Sequence, residues 1–225
     1  MDKLLNFGAY RMSEAFFRSK FRPGWIEVIA GCMFSGKSEE LIRQLRRAQL
    51  AKQRIQVFKP EIDQRYSLDH VASHNQSLYP SIQVNSVDEI LHLVERNSEV
   101  IGIDEGQFFE NKIVEIANIL ADSGKRVIVA GLDTDWQGKP FGPIPHLMAI
   151  AEVIRKQYAI CMVCGEPANR TQRLVADSSN ILVGSSEAYE ARCRIHFDPD
   201  FCHRLANQDS LTAKRNLQNP LDAQL

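Results

Sequence analysis

The chain has 225 residues, is 44% hydrophobic and carries a formal charge of −1. That length and apolar content support one α/β core with a small appendage. The near-neutral balance leaves no electrostatic footprint for duplex nucleic acid, and no apolar run approaches the roughly 18 residues of a membrane span.

Residues 1–23 are basic, acid-poor and interspersed with aromatics. A targeting peptide has that composition, but no apolar stretch of the secretory kind is present, and the segment reads as a poorly ordered N-terminal extension. After Pro23-Gly24 the pattern becomes regular. Trp25 to Ala30 reads as a strand, and Gly31-Cys32-Met33-Phe34-Ser35-Gly36-Lys37-Ser38 follows it. A helix is predicted over 37–53, with Leu41, Ile42, Leu45 and Ala48 on one face. Residues 54–59 read as a strand, 61–80 as a long polar functional loop, and 81–84 as a short strand. Ser86 is a plausible N-cap for a helix over 87–96. An apolar strand over 99–104, a helix over 113–121, a strand over 126–132, a short helix over 146–152 and a strand over 153–158 complete the series. Strands alternating with helices imply an α/β domain over 24–158, its sheet mainly parallel and flanked by helices. Beyond Tyr158 the core-like runs stop. Residues 159–199 form a small cysteine-bearing unit, and 200–225 read as a flexible polar tail.

Residues 31–38 fit G-x-x-x-x-G-K-[ST], the phosphate-binding loop, with the strand and helix that motif requires on either side. Gly31, Met33, Phe34, Ser35 and Gly36 supply a loop whose backbone N–H groups turn inward onto phosphate, and the helix N-terminus adds its dipole. Lys37 reaches the β- and γ-phosphates of ATP, and Ser38 holds Mg²⁺. Val100-Ile101-Gly102-Ile103-Asp104-Glu105 is the second nucleotide signature: an apolar strand delivers two carboxylates at its carboxyl end. Successive side chains point to opposite sides of a strand. Asp104 is therefore assigned to Mg²⁺ and Glu105 to general-base work on an attacking hydroxyl.

Four of the five cysteines lie in the last third of the chain. Cys161-x-x-Cys164 and Cys193-x-x-His196 have the spacing of two knuckles that close a tetrahedral zinc site, with Cys202 and His203 as nearby alternatives to His196. A closed site has no open coordination position, so this zinc is structural. Taken alone, Asp63 and Arg65 read as a surface ion pair, and Trp136 and Phe141 as packing under a Gly/Pro-rich loop. A rival reading, a zinc-knuckle module gripping single-stranded nucleic acid, requires a basic groove with spaced aromatics. The charge balance argues against it.

From about Gly24 to His196 the chain resembles the thymidine kinases of the cellular and bacterial type, which join a phosphate-loop core to a zinc-held lasso. The motifs that carry the resemblance run in order. They are Met33 to Ser38, Phe58-Lys59-Pro60 with Asp63 and Arg65-Tyr66, and Ser73-His74-Asn75. Then come Ile103 to Phe109, Gly131-Leu132-Asp133, Lys139 to Gly142, the cysteine pairs and Ala188-Tyr189. Cys32 departs from the Pro or Ser common at its position. The resemblance implies transfer of the ATP γ-phosphate to the 5′-hydroxyl of thymidine, and of deoxyuridine, in nucleoside salvage. It implies that Arg65 assists the phosphoryl group and that Gln107 lies with Asp104 at the nucleotide. Met33, Phe108, Leu132, Trp136 and Phe141 would wall the base slot. The segment from about Arg170 to Tyr189 would be the lasso, with Thr171, Tyr189 and the backbone near Val183 on the thymine. It further implies a cytoplasmic homotetramer inhibited by thymidine triphosphate, with neither nucleic acid nor membrane as partner.

Overall fold

The computed structural model describes residues 23–61, 70–72, 78–176 and 188–204. Arg65 with Asp63 and Tyr66, the Ser73-His74-Asn75 motif, Val183, residues 1–22, residues 177–187 of the lasso and the tail from 205 lie outside the described residues.

Strands β1 (Trp25–Ala30), β2 (Ile55–Pro60), β3 (His70–Ala72), β4 (Leu78–Pro80), β5 (Ile82–Val84), β6 (Val100–Ile103), β7 (Arg126–Gly131) and β8 (Val153–Lys156) occupy the first part of the chain. The main sheet has six strands in the order β5-β2-β6-β7-β1-β8. Every neighbouring pair in it is parallel. Between these strands lie helices α1 (Lys37–Leu50), α2 (Val87–Leu93), α3 (Ile113–Asp122) and α4 (Ile144–Ile150). A parallel sheet needs cover on both faces, and the strand alternation provides two sets of apolar side chains. Ile26, Val28, Ile101, Ile103, Val127 and Val129 meet α2, α3 and α4 through Ile90, Ile116 and Leu147. Ile29, Val57, Val100 and Ile128 face the other way, onto Leu41, Ile42, Leu45 and Ala48 of α1. Each fully buried leucine or isoleucine of these layers contributes about 1.5–3 kcal/mol relative to exposure.

The α1 face also buries charge. Glu27 is only 2% exposed, yet its carboxylate accepts from Arg126 Nε at 2.6 Å and from Trp25 Nε1 at 2.8 Å, and also pairs with Arg155. Arg126 donates onward to Gln44 Oε1 at 3.0 Å. Burial works against the Glu27 carboxylate, but the bonds and charges of Arg126 and Arg155 outweigh it and hold its pKa below the ordinary 4.5.

The predicted elements occur in the predicted order, but the helix expected over 87–96 ends at Leu93, the one expected over 146–152 spans Ile144–Ile150, and the strand expected over 153–158 ends at Lys156. Two further differences have clear physical causes. Helix α1 ends at Leu50, short of residue 53, because Lys52 turns left-handed at φ 58° and the N–H of Gln53 closes onto Ala48 O at 3.1 Å. The stretch expected as loop over 61–80 contains an antiparallel hairpin, β3 with β4, pairing Val71 with Tyr79. Strands of three residues are too short for alternation to register in sequence.

After β8 the architecture changes to two small antiparallel pairs. Strand β9 (Ala159–Ile160) pairs with β10 (Pro167–Ala168), and β11 (Arg170–Arg173) with β12 (Tyr189–Arg192). Among the described residues no helix is long and apolar enough to cross a membrane.

Candidate active site

The loop after β1 turns on two left-handed residues, Phe34 at φ 65° and Gly36 at φ 79°. Gly36 also caps α1, whose first turn carries Glu39 and Glu40 and whose last turn carries Arg47. Left-handed residues in such a loop aim successive N–H groups at one point, which makes an anion cradle. Lys37 Nζ donates to Cys32 O at 2.8 Å, and Ser35 Oγ donates to the same carbonyl at 2.8 Å. Burial pulls the Lys37 ammonium below the usual lysine range, opposed by the charges of Glu105, Cys32, Asp104 and Asp133.

Strand β6 lies two places from β1 in the sheet, with β7 between, and ends where the loop sits. Asp104 is 5% exposed, and its Oδ1 accepts from Ser38 Oγ at 3.5 Å. These two oxygens are the expected Mg²⁺ pair, and the fold sets them close enough to share one cation. Glu105 follows at φ 51°, ψ 39°, entering a 3-10 turn over Gly106–Phe108. For a residue with a Cβ, left-handed backbone costs roughly 1–2 kcal/mol, and strain of this kind concentrates at functional positions. Gln107, expected at the nucleotide, has both ends of its amide engaged within the protein. Its Oε1 accepts the Leu132 N–H at 3.0 Å and its Nε2 donates to Glu105 Oε2 at 2.5 Å.

The expected base-slot residues come from several elements. Met33 and Phe34 of the loop pack with Trp136, Ala188, Tyr189 and Cys202. Phe108 meets Phe141 edge to face, with ring centroids 6.1 Å apart. Thr171 Oγ1 accepts the Met33 N–H at 3.0 Å, so a lasso residue is bonded directly to the phosphate loop. Leu132 follows β7, its N–H bonded to Gln107, which precedes Phe108 in sequence. Cys32 reinforces this seam. Its thiol is fully buried among Ala159, Cys161, Ala168, Ala191 and Cys193, lies 3.4 Å from Ala168 O, and is held above the usual thiol range by burial.

Two side chains of the site have no role in the sequence analysis, and a third, His203, stands elsewhere than its alternative place at the zinc. Arg173 is fully buried, with its guanidinium 4.4 Å from the Trp136 ring and 5.3 Å from the Tyr189 ring, and it donates to Tyr189 Oη at 2.7 Å. Strand parity with Thr171 was the available signal. Asp133, buried at the end of β7, pairs with Lys156 Nζ at 2.5 Å at the end of β8; its place in Gly131-Leu132-Asp133 was the signal. His203 lies against Trp136 at 6.2 Å between ring centroids. With Cys202 also buried at Trp136, neither residue stands with the zinc ligands.

Cys161, Cys164, Cys193 and His196 have their ligand atoms within 4.8 Å of one another. Cys164 Sγ and Cys193 Sγ are 3.8 Å apart, and Cys193 Sγ is 3.2 Å from His196 Nδ1. A tetrahedral Zn²⁺ with Zn–S near 2.3 Å separates two sulfurs by about 3.8 Å. The donor set therefore fits structural zinc. Burial raises the Cys161 thiol, but backbone bonds from Cys193, Val163 and Cys164 outweigh it and lower the pKa. Against a backbone bond from Glu166, the neighbouring Cys164 thiol is pushed up by burial and by Cys161 and Cys193.

Residues 24–197 match the family model described as thymidine kinase. A thymidine kinase of Bdellovibrio bacteriovorus is 58% identical over 177 residues, which cover 79% of this chain and 87% of that protein.

Proposed function

Because this chain belongs to the thymidine kinase family and so phosphorylates thymidine from ATP, we propose that its residues divide the work as follows. The backbone N–H groups of Gly31 to Gly36 cradle the ATP phosphates. Lys37 exchanges its bond to Cys32 O for the β- and γ-phosphate oxygens. Ser38 and Asp104 hold Mg²⁺, which supplies neutralisation of phosphate charge. Thymidine lies in the slot walled by Met33, Phe108, Leu132, Trp136 and Phe141. Thr171, Tyr189 and the backbone near Val183 contact the thymine as the lasso covers it.

Glu105 takes the 5′-hydroxyl proton as the O5′–Pγ bond forms and the bond from Pγ to the β-phosphate oxygen breaks, releasing ADP. Arg65 balances charge on the moving phosphoryl group. Most of the rate gain is positioning and electrostatics, since the transition state is loose. Cys161, Cys164, Cys193 and His196 hold the zinc, which gives the lasso a fixed base and lowers the ordering entropy left to be offset on binding. Deoxyuridine is a second acceptor. The working enzyme is a cytoplasmic homotetramer inhibited by thymidine triphosphate, with neither nucleic acid nor membrane as partner.

The observation that carries this reading is the meeting of two carboxylates with the phosphate loop: Asp104 lies 3.5 Å from Ser38 Oγ, and Glu105 follows it in left-handed backbone. Glu105→Gln is expected to leave ATP and thymidine binding nearly intact while turnover falls by roughly 10²–10⁴, the usual contribution of a positioned base. A phosphate-transfer assay over the common nucleosides checks this. Unchanged turnover would take Glu105 out of the mechanism, and transfer to deoxycytidine or purine nucleosides would overturn the slot.

A further inference from the structure

Gln107 is buried in the turn after β6, and its side chain spans the gap to β7. Its oxygen accepts the Leu132 N–H at 3.0 Å, and its nitrogen donates to Glu105 Oε2 at 2.5 Å. The first bond decides the second. A carboxamide whose oxygen is committed to an N–H presents its NH₂ at the other end. One Glu105 oxygen is thereby held in place by the amide. Gly131 keeps the space open: a Cβ there would lie 2.8 Å from Gln107 Oε1 and 2.6 Å from Ile144 Cδ1. The left-handed turn holds the Glu105 backbone while the amide holds its side chain.

We infer that Gln107 is a positioning residue for phosphoryl transfer, an amide strut that orients the Glu105 carboxylate rather than a ligand of the nucleotide. The inference rests on the reading of Glu105 as the base. A donor on the carboxylate also favours its charged form. Among the described residues, the charged groups near the turn include Lys37 of α1, whose ammonium interacts with Glu105, Asp104 and Asp133, and Lys156, which pairs with Asp133.

The test compares Gln107→Met and Gln107→Glu in the full chain, each alone and combined with Glu105→Gln. Gln107→Met removes both hydrogen bonds at nearly constant volume. Its kcat is expected to fall about 10²-fold, as for a misplaced reacting group, while KM for ATP and for thymidine changes by less than about threefold. On the Glu105→Gln background the same change is expected to cost nothing further, because no base remains to be oriented. Gln107→Glu keeps an acceptor for Leu132 but sets a second carboxyl against Glu105. The acid limb of its kcat–pH profile is expected to rise by about one unit or more.

Intact kcat in Gln107→Met, a raised KM for ATP at intact kcat, or an equal loss in both backgrounds overturns the strut. If thermal unfolding shows that Gln107→Met does not fold, an unshifted acid limb in Gln107→Glu overturns it alone. Full turnover in Glu105→Gln removes the base and the strut together, and that failure is told apart because it shows in the single Glu105 variant.

Discussion

The phosphate side of the site and the nucleoside side are built in different ways. The phosphate side comes from one sheet. Loop 31–38, Asp104 and Asp133 all stand at the carboxyl ends of the parallel strands β1, β6 and β7, where such sheets bind ligands. In the proposed mechanism much of its recognition is main-chain N–H. The nucleoside side is assembled from parts far apart in sequence. Met33, Phe108, Trp136, Thr171, Tyr189 and Cys202 belong to different elements, and the small module built around the Cys161, Cys164, Cys193 and His196 cluster carries the last three. The first half is preorganised by strand pairing, whereas the second depends on a short segment that could not bury enough apolar surface to stand alone. The two halves are nonetheless joined at Cys32–Ala168 and at Met33–Thr171.

Removing zinc should separate the halves most sharply. In small zinc modules the metal's binding free energy is folding free energy. Chelation is therefore expected to abolish saturable thymidine binding, while ATP binding, followed by calorimetry, weakens by less than about tenfold because the sheet survives. Equal loss of both ligands would show that the seam makes the halves one unit.

Glu27→Ala strikes the framework without touching either half. Leaving Arg126 buried without its carboxylate is expected to cost about 3–5 kcal/mol of unfolding free energy, with both KM values unmoved. The pH dependence has a definite sign. Glu27 is depressed on folding, so its contribution is present above the ordinary 4.5 and is lost as pH falls through the lower folded value. Denaturant titrations of wild type and variant should thus converge in acid.

Thr171→Val gives the smallest effect and tests the seam itself. It deprives the Met33 N–H of its acceptor for a cost of about 1–3 kcal/mol. KM should rise for both substrates, since Met33 belongs to the phosphate loop and to the base slot. A rise for thymidine alone would mean the bond serves only the lasso.

The same division explains what could be read from sequence. The phosphate side was legible because its signals are contiguous: residues 31–38, the apolar run 100–103 with its two acids, and the flanking strand and helix. The convergence of Cys161, Cys164, Cys193 and His196 was legible from spacing. The strand order was not, because β2 beside β6 and β5 at the edge follow from how crossovers pack and not from any local pattern. The Asp133–Lys156 pair and the Arg173 clamp need two elements to be brought together before either has meaning. Gln107 lies inside a recognised motif, yet its partner Leu132 is on the neighbouring strand, so its orientation is a tertiary fact. Val183 and Arg65 lie in segments outside the described residues and stay with the proposed mechanism.

The short helical turn at residues 201–204 follows the zinc knuckle and returns the chain to the aromatic wall, where Cys202 is buried beside Trp136 and Tyr189. In mechanical language, a zinc held by the Cys161, Cys164, Cys193 and His196 cluster would be a buckle midway along a strap and not a post at its end. One arm runs back through β12 and β11 to the phosphate loop, and the other runs forward to tuck under the indole. Tension applied to either arm is shared by the knuckle and the slot, so residues beyond the last zinc ligand have a stake in how the base is held.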